Sequence, residues 1–223
     1  MYHNSQPLIS VASARLNGSF LEPHIKESLR WIKQSDLEGI RVIKLDDKMA
    51  KVSKQAAMWA QTASHSGERV YGWYCPLKEK TPAFIVLYVN EICHSIPSVL
   101  RRGPLLTLRL TRSLAHEVAH HLRATRGYIL QNNENNEEEM LADLYAEEVT
   151  QRMIKNWRYR FSRFVLKEIA SWHYAFGQVD WRQKHFADSA NHFFSAWDLD
   201  RENGNASNWY WRAKEMSESS QLE

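Results

Sequence analysis

His116-Glu117-Val118-Ala119-His120 places two imidazoles four residues apart, with a carboxylate between them. On an α-helix, residues four apart share a face one turn from each other, so both rings can converge on one point. Imidazole nitrogens bind zinc at about 2 Å, and a metal held this way lowers the pKa of a bound water toward about 7. Glu117 stands about 100° round the helix from His116, near enough to take a proton from that water without ligating the metal itself. The chemistry implied is zinc-assisted hydrolysis with Glu117 as general base. The plain alternative is a surface helix that carries two His and a Glu for no shared purpose. It fits poorly with a motif placed mid-helix, on an apolar-striped helix that follows a probable sheet.

A catalytic zinc site usually takes three protein ligands and leaves a fourth position for water. His121 cannot be the third, because it points about 100° away from His120; it reads as a supporting or packing residue. A third His beyond a Gly is also absent, since Arg123 and Arg126 stand where those residues would. The acidic segment beginning at Glu137 is the natural donor. Within it, Glu139-Met140-Leu141-Ala142-Asp143 sets two carboxylates four apart, again on one helical face.

The combination of His116, Glu117 and His120 with a later E-x-x-A-D segment resembles the thermolysin-like gluzincins. It is also similar to the small HExxH metalloproteases related to bacterial phage-repressor-cleaving and radiation-response regulators. The resemblance covers residues 84–153. It implies one zinc ion per chain, held by His116, His120 and Glu139, with Asp143 bonding the outer ring nitrogen of the first His. It also implies a peptide or protein substrate. Glu138, or Asp143 acting as a direct ligand, remain open alternatives for the third position. The chain departs from those families in lacking a helix-turn-helix region and a C-terminal zinc ribbon. It offers no family motif for the oxyanion-stabilising residue: Tyr128, Tyr145, His173 and His185 are available in principle, and none is assigned.

The elements that must position these residues follow from periodicity. Helices are predicted at 22–34, 49–63, 105–123 and 137–157, and strands at 40–45, 70–75 and 84–89. Residues 1–20 show no period and read as a poorly ordered lead-in. Lys78-Glu79-Lys80-Thr81-Pro82 suits a hairpin connection, and the strand at 84–89 is the expected sheet edge for an extended substrate. Leu110, Leu114, Val118 and Leu122 make the stripe of the motif helix. Leu141, Leu144, Tyr145, Val149 and Met153 are the expected apolar face of the acidic helix. Beyond it the chain is helical and rich in aromatics. Gly177, Ser189, Phe193 and Ala196 there resemble one tetratricopeptide-like helix pair, although Arg201 stands where a Pro is expected. One repeat cannot build the concave surface of a longer array. Packing, or docking of a protein partner, are the two roles left for it.

The expected fold class is thus α+β. A zincin-like domain at 1–157, a small mixed sheet with the HExxH helix, is followed by an all-helical extension at 158–223. Hydrophobic residues at 43% and charged residues at 25% are ordinary for a globular chain of 223 residues. Such a chain needs no metal merely to fold. Cys75 and Cys93 form no close pair, which excludes a zinc ribbon or knuckle. The first 18 residues lack the apolar core of a signal peptide, and no apolar run is long enough to cross a bilayer. A soluble cytoplasmic protein without a membrane partner is expected. The net charge is +3, yet Arg101, Arg102, Arg109, Arg112, Arg123 and Arg126 gather around the motif. They leave a DNA-associated protease as one alternative. A hydrolase acting on a non-peptide amide is another, and a non-catalytic zinc-binding module that recruits partners through its helical tail is a third.

Overall fold

The structure, a computed structural model, describes residues 6–11, 17–47, 71–76, 82–94, 96–125 and 136–220. The helix expected at 49–63, Tyr128, most of the hairpin connection and nearly all of the Asn-rich loop lie outside the described residues. The fold is α+β, with a small mixed sheet and a helical C-terminal region. Two compact units divide between Tyr159 and Arg160; the boundary read from sequence stood at 157/158.

In the first unit, β1 (Leu8–Val11), β2 (Ile40–Asp46), β3 (Gly72–Cys75) and β4 (Ala83–Tyr88) form one sheet in the order β1-β2-β4-β3. β1 and β4 both run parallel to β2, and β3 runs antiparallel to β4, with Gly72 opposite Leu87. Ile43, Leu45, Ile85 and Leu87 are fully buried and form the sheet's contribution to the core. Two expectations are corrected here. Residues 8–11 form a strand, because parallel pairing to β2 is a non-local contact that leaves no trace in a four-residue period. The 84–89 segment is not the sheet edge, because β4 is hydrogen-bonded to β2 on one side and β3 on the other. Among the described residues, the edge strand nearest the motif helix is β3.

Helix α1 (Gly18–Leu29) begins at Asn17, whose side chain accepts from the Phe20 amide at 3.2 Å. This cap satisfies a donor that the first turn would otherwise orphan. The helix ends at Leu29 rather than 34, and a 3-10 turn at Gln34–Leu37 leads into β2. After β4 come a single helical turn, α2 (Val89–Ile92), and a 3-10 turn at Ser98–Leu100.

The motif helix is α3 (Gly103–Thr125). Leu106, Leu110, Leu114 and Val118 are at most 1% exposed. They face a core to which α1, β3, β4 and the next helix, α4 (Asn136–Met153), all contribute. α4 corrects a third expectation. Its buried stripe is Ala142, Ala146, Val149 and Met153, all at 0%, whereas Leu141 and Leu144 are exposed at 39% and 58%. Two alanines at the contact let the backbones of α3 and α4 approach closely. Short side chains can then meet across the seam.

The second unit holds the greater part of α5 (Trp157–Arg182), with α6 (Phe186–Leu199) and α7 (Gly204–Ser219). The small-and-aromatic pattern read in the sequence falls where α5 meets α6. Ser189 Oγ donates to the Gly177 carbonyl at 2.8 Å, and a Cβ on Gly177 would lie 2.9 Å from the Phe193 ring. Phe193 stacks on Trp209, and Phe194 meets Tyr210 edge-on, which ties α7 to the same core. No helix among the described residues is long and apolar enough to cross a membrane.

The close α3–α4 approach predicts that Ala146→Leu will destabilise the chain by about 1–3 kcal/mol through overpacking. Leu144→Ala, at an exposed position, should fall within about 0.5 kcal/mol of the parent. Urea midpoints of the two variants check this; an unchanged Ala146→Leu would show that the helices are not in close contact.

Candidate metal centre

α3 and α4 run antiparallel, and their facing rows match turn for turn. Arg112 meets Glu147 and Asp143, His116 meets Asp143 and Glu139, and His120 meets Glu139 and Glu138. Each step of four forward on α3 is answered by a step of four back on α4. That is what two antiparallel helices in contact along one seam produce.

The structure brings His116, His120 and Glu139 together. The Nε2 atoms of the two imidazoles are 3.2 Å apart, and the Glu139 carboxylate lies 3.1 Å from His116 Nε2 and 3.5 Å from His120 Nε2. Donor atoms on a tetrahedral zinc with bonds of about 2.0–2.1 Å are themselves about 3.3 Å apart. The triangle of two nitrogens and a carboxylate therefore has the size of one face of a zinc tetrahedron. The donor set, two imidazoles and one carboxylate, is one that zinc accepts. The Glu139 side chain is 66% exposed, so solvent can reach that side of the triangle.

Each imidazole is held by its other nitrogen. His116 Nδ1 is 3.2 Å from Asp143 Oδ1, and His120 Nδ1 is 3.2 Å from Glu138 Oε1. A carboxylate accepts only, so each Nδ1 donates to its support, and both Nε2 atoms are turned to the shared point, where that of His116 also meets the Glu139 carboxylate. Arg112 lies 3.9 Å from Asp143 and is ion-paired to Glu147; Arg123 lies 4.0 Å from Glu138. Glu138, Arg112 and Glu147 are parts of the site that the sequence reading did not assign. The signal for Arg112 and Glu147 was present as rows of period four, on 112-116-120 and 139-143-147, whereas Glu138 lies in neither row. Of the alternatives for the third ligand, Glu138 and Asp143 are both placed on the outer nitrogens.

Electrostatics follow from this crowding. Burial alone would lower the His116 imidazolium pKa. Hydrogen bonds to Asp143 and Glu139, with the charges of Glu117 and Glu139, outweigh burial and push it up to about 10. A cluster that grips a proton on Nε2 so firmly has the negative field that a divalent cation would compete for. For Glu139, burial would raise the pKa, but its bond to His116 and the two ring charges bring it below the ordinary value.

Glu117 occupies another face of α3. It is 7% exposed and lies against β3, where the Tyr74 backbone hydrogen-bonds to its carboxylate. Desolvation raises its pKa, against the opposing pull of His120 and His116. Gly72 makes the space for it. A Cβ there would come within 2.8 Å of Glu117 Oε1 and 3.0 Å of the Val86 carbonyl on the adjoining strand. His121, one turn further along the same face, is 2% exposed. Its Nε2–H donates to the Glu38 carbonyl at 2.7 Å, and its Nδ1 accepts from the Tyr74 hydroxyl at 3.1 Å. It ties α3 to β3 and to the turn at Gly39, and burial lowers its pKa.

Tyr145 donates to Asp36 Oδ2 at 2.6 Å, a bond that engages the hydroxyl. His173 and His185 belong to the second unit. Arg101 and Arg109 donate to the carbonyls of Ile96 and Ile92. With Arg112 and Arg123, four of the six arginines around the motif thus have acceptors or acidic neighbours within the first unit.

Two outcomes test the geometry. Asp143→Asn and Glu138→Gln each remove a charged support, and each should weaken zinc binding about 10–100-fold while Glu139→Ala weakens it further. Competition with a chelator measures all three, and a Glu138→Gln affinity equal to wild type would detach Glu138 from the site. Gly72→Ala should displace the Glu117 carboxylate while leaving zinc content at wild-type level. Loss of zinc in that variant would show that Gly72 serves the ligands instead.

Compared with protein-family models, with curated proteins and with solved structures, the chain finds no match, and the site is read from its own residues.

Proposed function

We propose that this chain is a zinc-dependent metallopeptidase of gluzincin-like plan, with a zincin-like first unit. The observation that carries the reading is the triangle of His116, His120 and Glu139, at separations of 3.1–3.5 Å, with both histidines on the helix that also presents a buried Glu117. When bound, a zinc ion supplies a Lewis acid that acidifies water and polarises an amide carbonyl.

The residues of the chain do the rest. His116 and His120 hold their lone pairs toward the shared point because Asp143 and Glu138 fix their tautomers. Glu117 takes the proton of the attacking water and returns it to the leaving nitrogen, one carboxylate serving both transfers. Its burial suits the task, since a carboxylate whose pKa is raised accepts a proton more readily. An extended substrate would add to the outer edge of β3, the strand whose Gly72 touches Glu117, through main-chain hydrogen bonds. A peptide backbone supplies both such bonds and the scissile amide, which favours a peptide over a non-peptide amide. Four of the six arginines that suggested a DNA-associated protease have acceptors or acidic neighbours within the first unit, so those four add little support to that alternative.

Glu117→Gln should retain one zinc per chain and lose about 10²–10⁴-fold in hydrolysis, because the amide keeps the shape and cannot accept the proton. Digestion of a peptide library by wild type and variant, with zinc measured in the same samples, checks it. Equal cleavage by both proteins would sink the general-base role, and no cleavage by zinc-loaded wild type would sink the peptidase reading.

A further inference from the structure

A second pair of histidines lies in the second unit, in an arrangement the proposed hydrolysis does not use. His173 on α5 and His192 on α6 present their Nδ1 atoms to each other at 3.1 Å, with ring centroids 5.3 Å apart. Asp180, two turns beyond His173, sets Oδ2 3.6 Å from His192 Nε2. The Phe176 ring lies against His192 with centroids 5.6 Å apart, and the His192 side chain is 35% exposed.

Tautomers decide what such a pair can hold. A proton on His192 Nε2, the side 3.6 Å from the Asp180 carboxylate, leaves Nδ1 as a lone pair aimed at His173. If His173 carries its proton on Nε2 as well, two lone pairs face each other at close range, and a shared cation is what reconciles them. The 3.1 Å separation matches the 3.2 Å between His116 and His120 Nε2, and both are close to the donor spacing of about 3.3 Å on zinc. The outer nitrogen faces a carboxylate, the support that ligating imidazoles ordinarily have. The spacing is set by packing rather than by the rings. One turn beyond His173, Gly177 seats Phe193, and one turn before His192, Ser189 bonds the Gly177 carbonyl. The two helices are therefore fixed at the level of the pair, which lowers the ordering cost of binding an ion.

We propose that His173 and His192 form a second metal site, taking a divalent cation of the zinc class through their Nδ1 atoms with Asp180 positioning His192. Water completes the coordination on the exposed side. Imidazole donors select zinc and its neighbours over magnesium or calcium. With two protein ligands the site is weaker than the three-ligand centre, and bound metal clamps α5 to α6. It does not depend on the peptidase reading.

The test uses the full chain carrying His116→Ala and His120→Ala, titrated with zinc in a calorimeter. One equivalent should still bind, and zinc should raise the melting temperature of this protein by several degrees. Adding His192→Ala, or separately His173→Asn, should abolish both effects. Adding Asp180→Asn should weaken binding about 10–100-fold. In the wild-type chain the same site should show as a second, weaker equivalent that His173→Asn removes. Absence of binding in the His116→Ala, His120→Ala chain would overturn the proposal, since the pair would then be joined by a proton alone. Binding that survives loss of both His173 and His192 would overturn it equally. Because the first centre is missing from this background, either result leaves the peptidase reading untouched.

Discussion

The seam between α3 and α4 is the contact on which the site depends. Two helices that meet through Ala142 and Ala146 approach closely enough for imidazoles and short carboxylates to touch across them. The same closeness desolvates those groups, and a desolvated charge is tolerated only when it is paired. The row of Glu138, Glu139, Asp143 and Glu147, with Glu117 behind it, brings five carboxylates to a place where Arg112 and Arg123 are the nearby guanidinium groups. Leaving the imidazoles out of the count, the carboxylates exceed the guanidinium groups by three charges. A divalent cation at the triangle would cancel most of that excess and use lone pairs already facing it. The charge pattern and the donor geometry therefore ask for the same thing, although they are separate properties of the seam.

The sheet matters to the site through a single strand. Successive residues of a helix point about 100° apart, and α3 uses this to divide its tasks. His116 and His120 face α4, Glu117 faces Gly72 on β3, and His121 reaches Tyr74 and the Glu38 carbonyl. The HExxH helix is thereby fixed in rotation from two sides, since Glu117 and His121, four residues apart, share the face toward β3. A rotation that helped one group would pull another from its partner. Gly39, at φ +93°, is where the chain turns to present the Glu38 carbonyl, and a side chain there would meet both backbone strain and the His121 ring at 3.4 Å.

The motif was legible in the sequence because a four-residue spacing has one strong meaning on a helix. The pairing of Glu139 and Asp143 was legible for the same reason. What periodicity does not reveal is which face of an element is turned inward. Leu141 and Leu144 look like core by residue type, yet the buried stripe runs through Ala142 and Ala146, because the seam needs small residues more than apolar area. Glu138 looked like a solvated charge at a helix start, and only the position of α3 shows that it reaches His120. β1 was invisible because its partner lies more than thirty residues away. The role of β4 was misread because a strongly apolar strand does not announce whether one or both of its edges are paired. Gly72 gave no local signal at all; its importance comes from what a Cβ would strike.

Glu117 is where the local arrangement sets stability aside. A carboxylate at 7% exposure, with its pKa raised by desolvation, is ionised at neutral pH only against the cost of leaving water. The Tyr74 backbone bond and the two imidazoles offset part of that cost, and a neutral side chain of the same shape would avoid it. Nothing in the packing of α3 requires a charge there, since Val118 and Leu114 already anchor the helix to the core. Sites that act on substrates characteristically hold groups at the expense of stability. Under the proposed hydrolysis, a glycine opposite, a backbone donor on the edge strand and two imidazoles on the adjoining face would together keep this carboxylate where a proton can be passed. On the proposed reading, this is the physical argument for turnover over holding a metal alone.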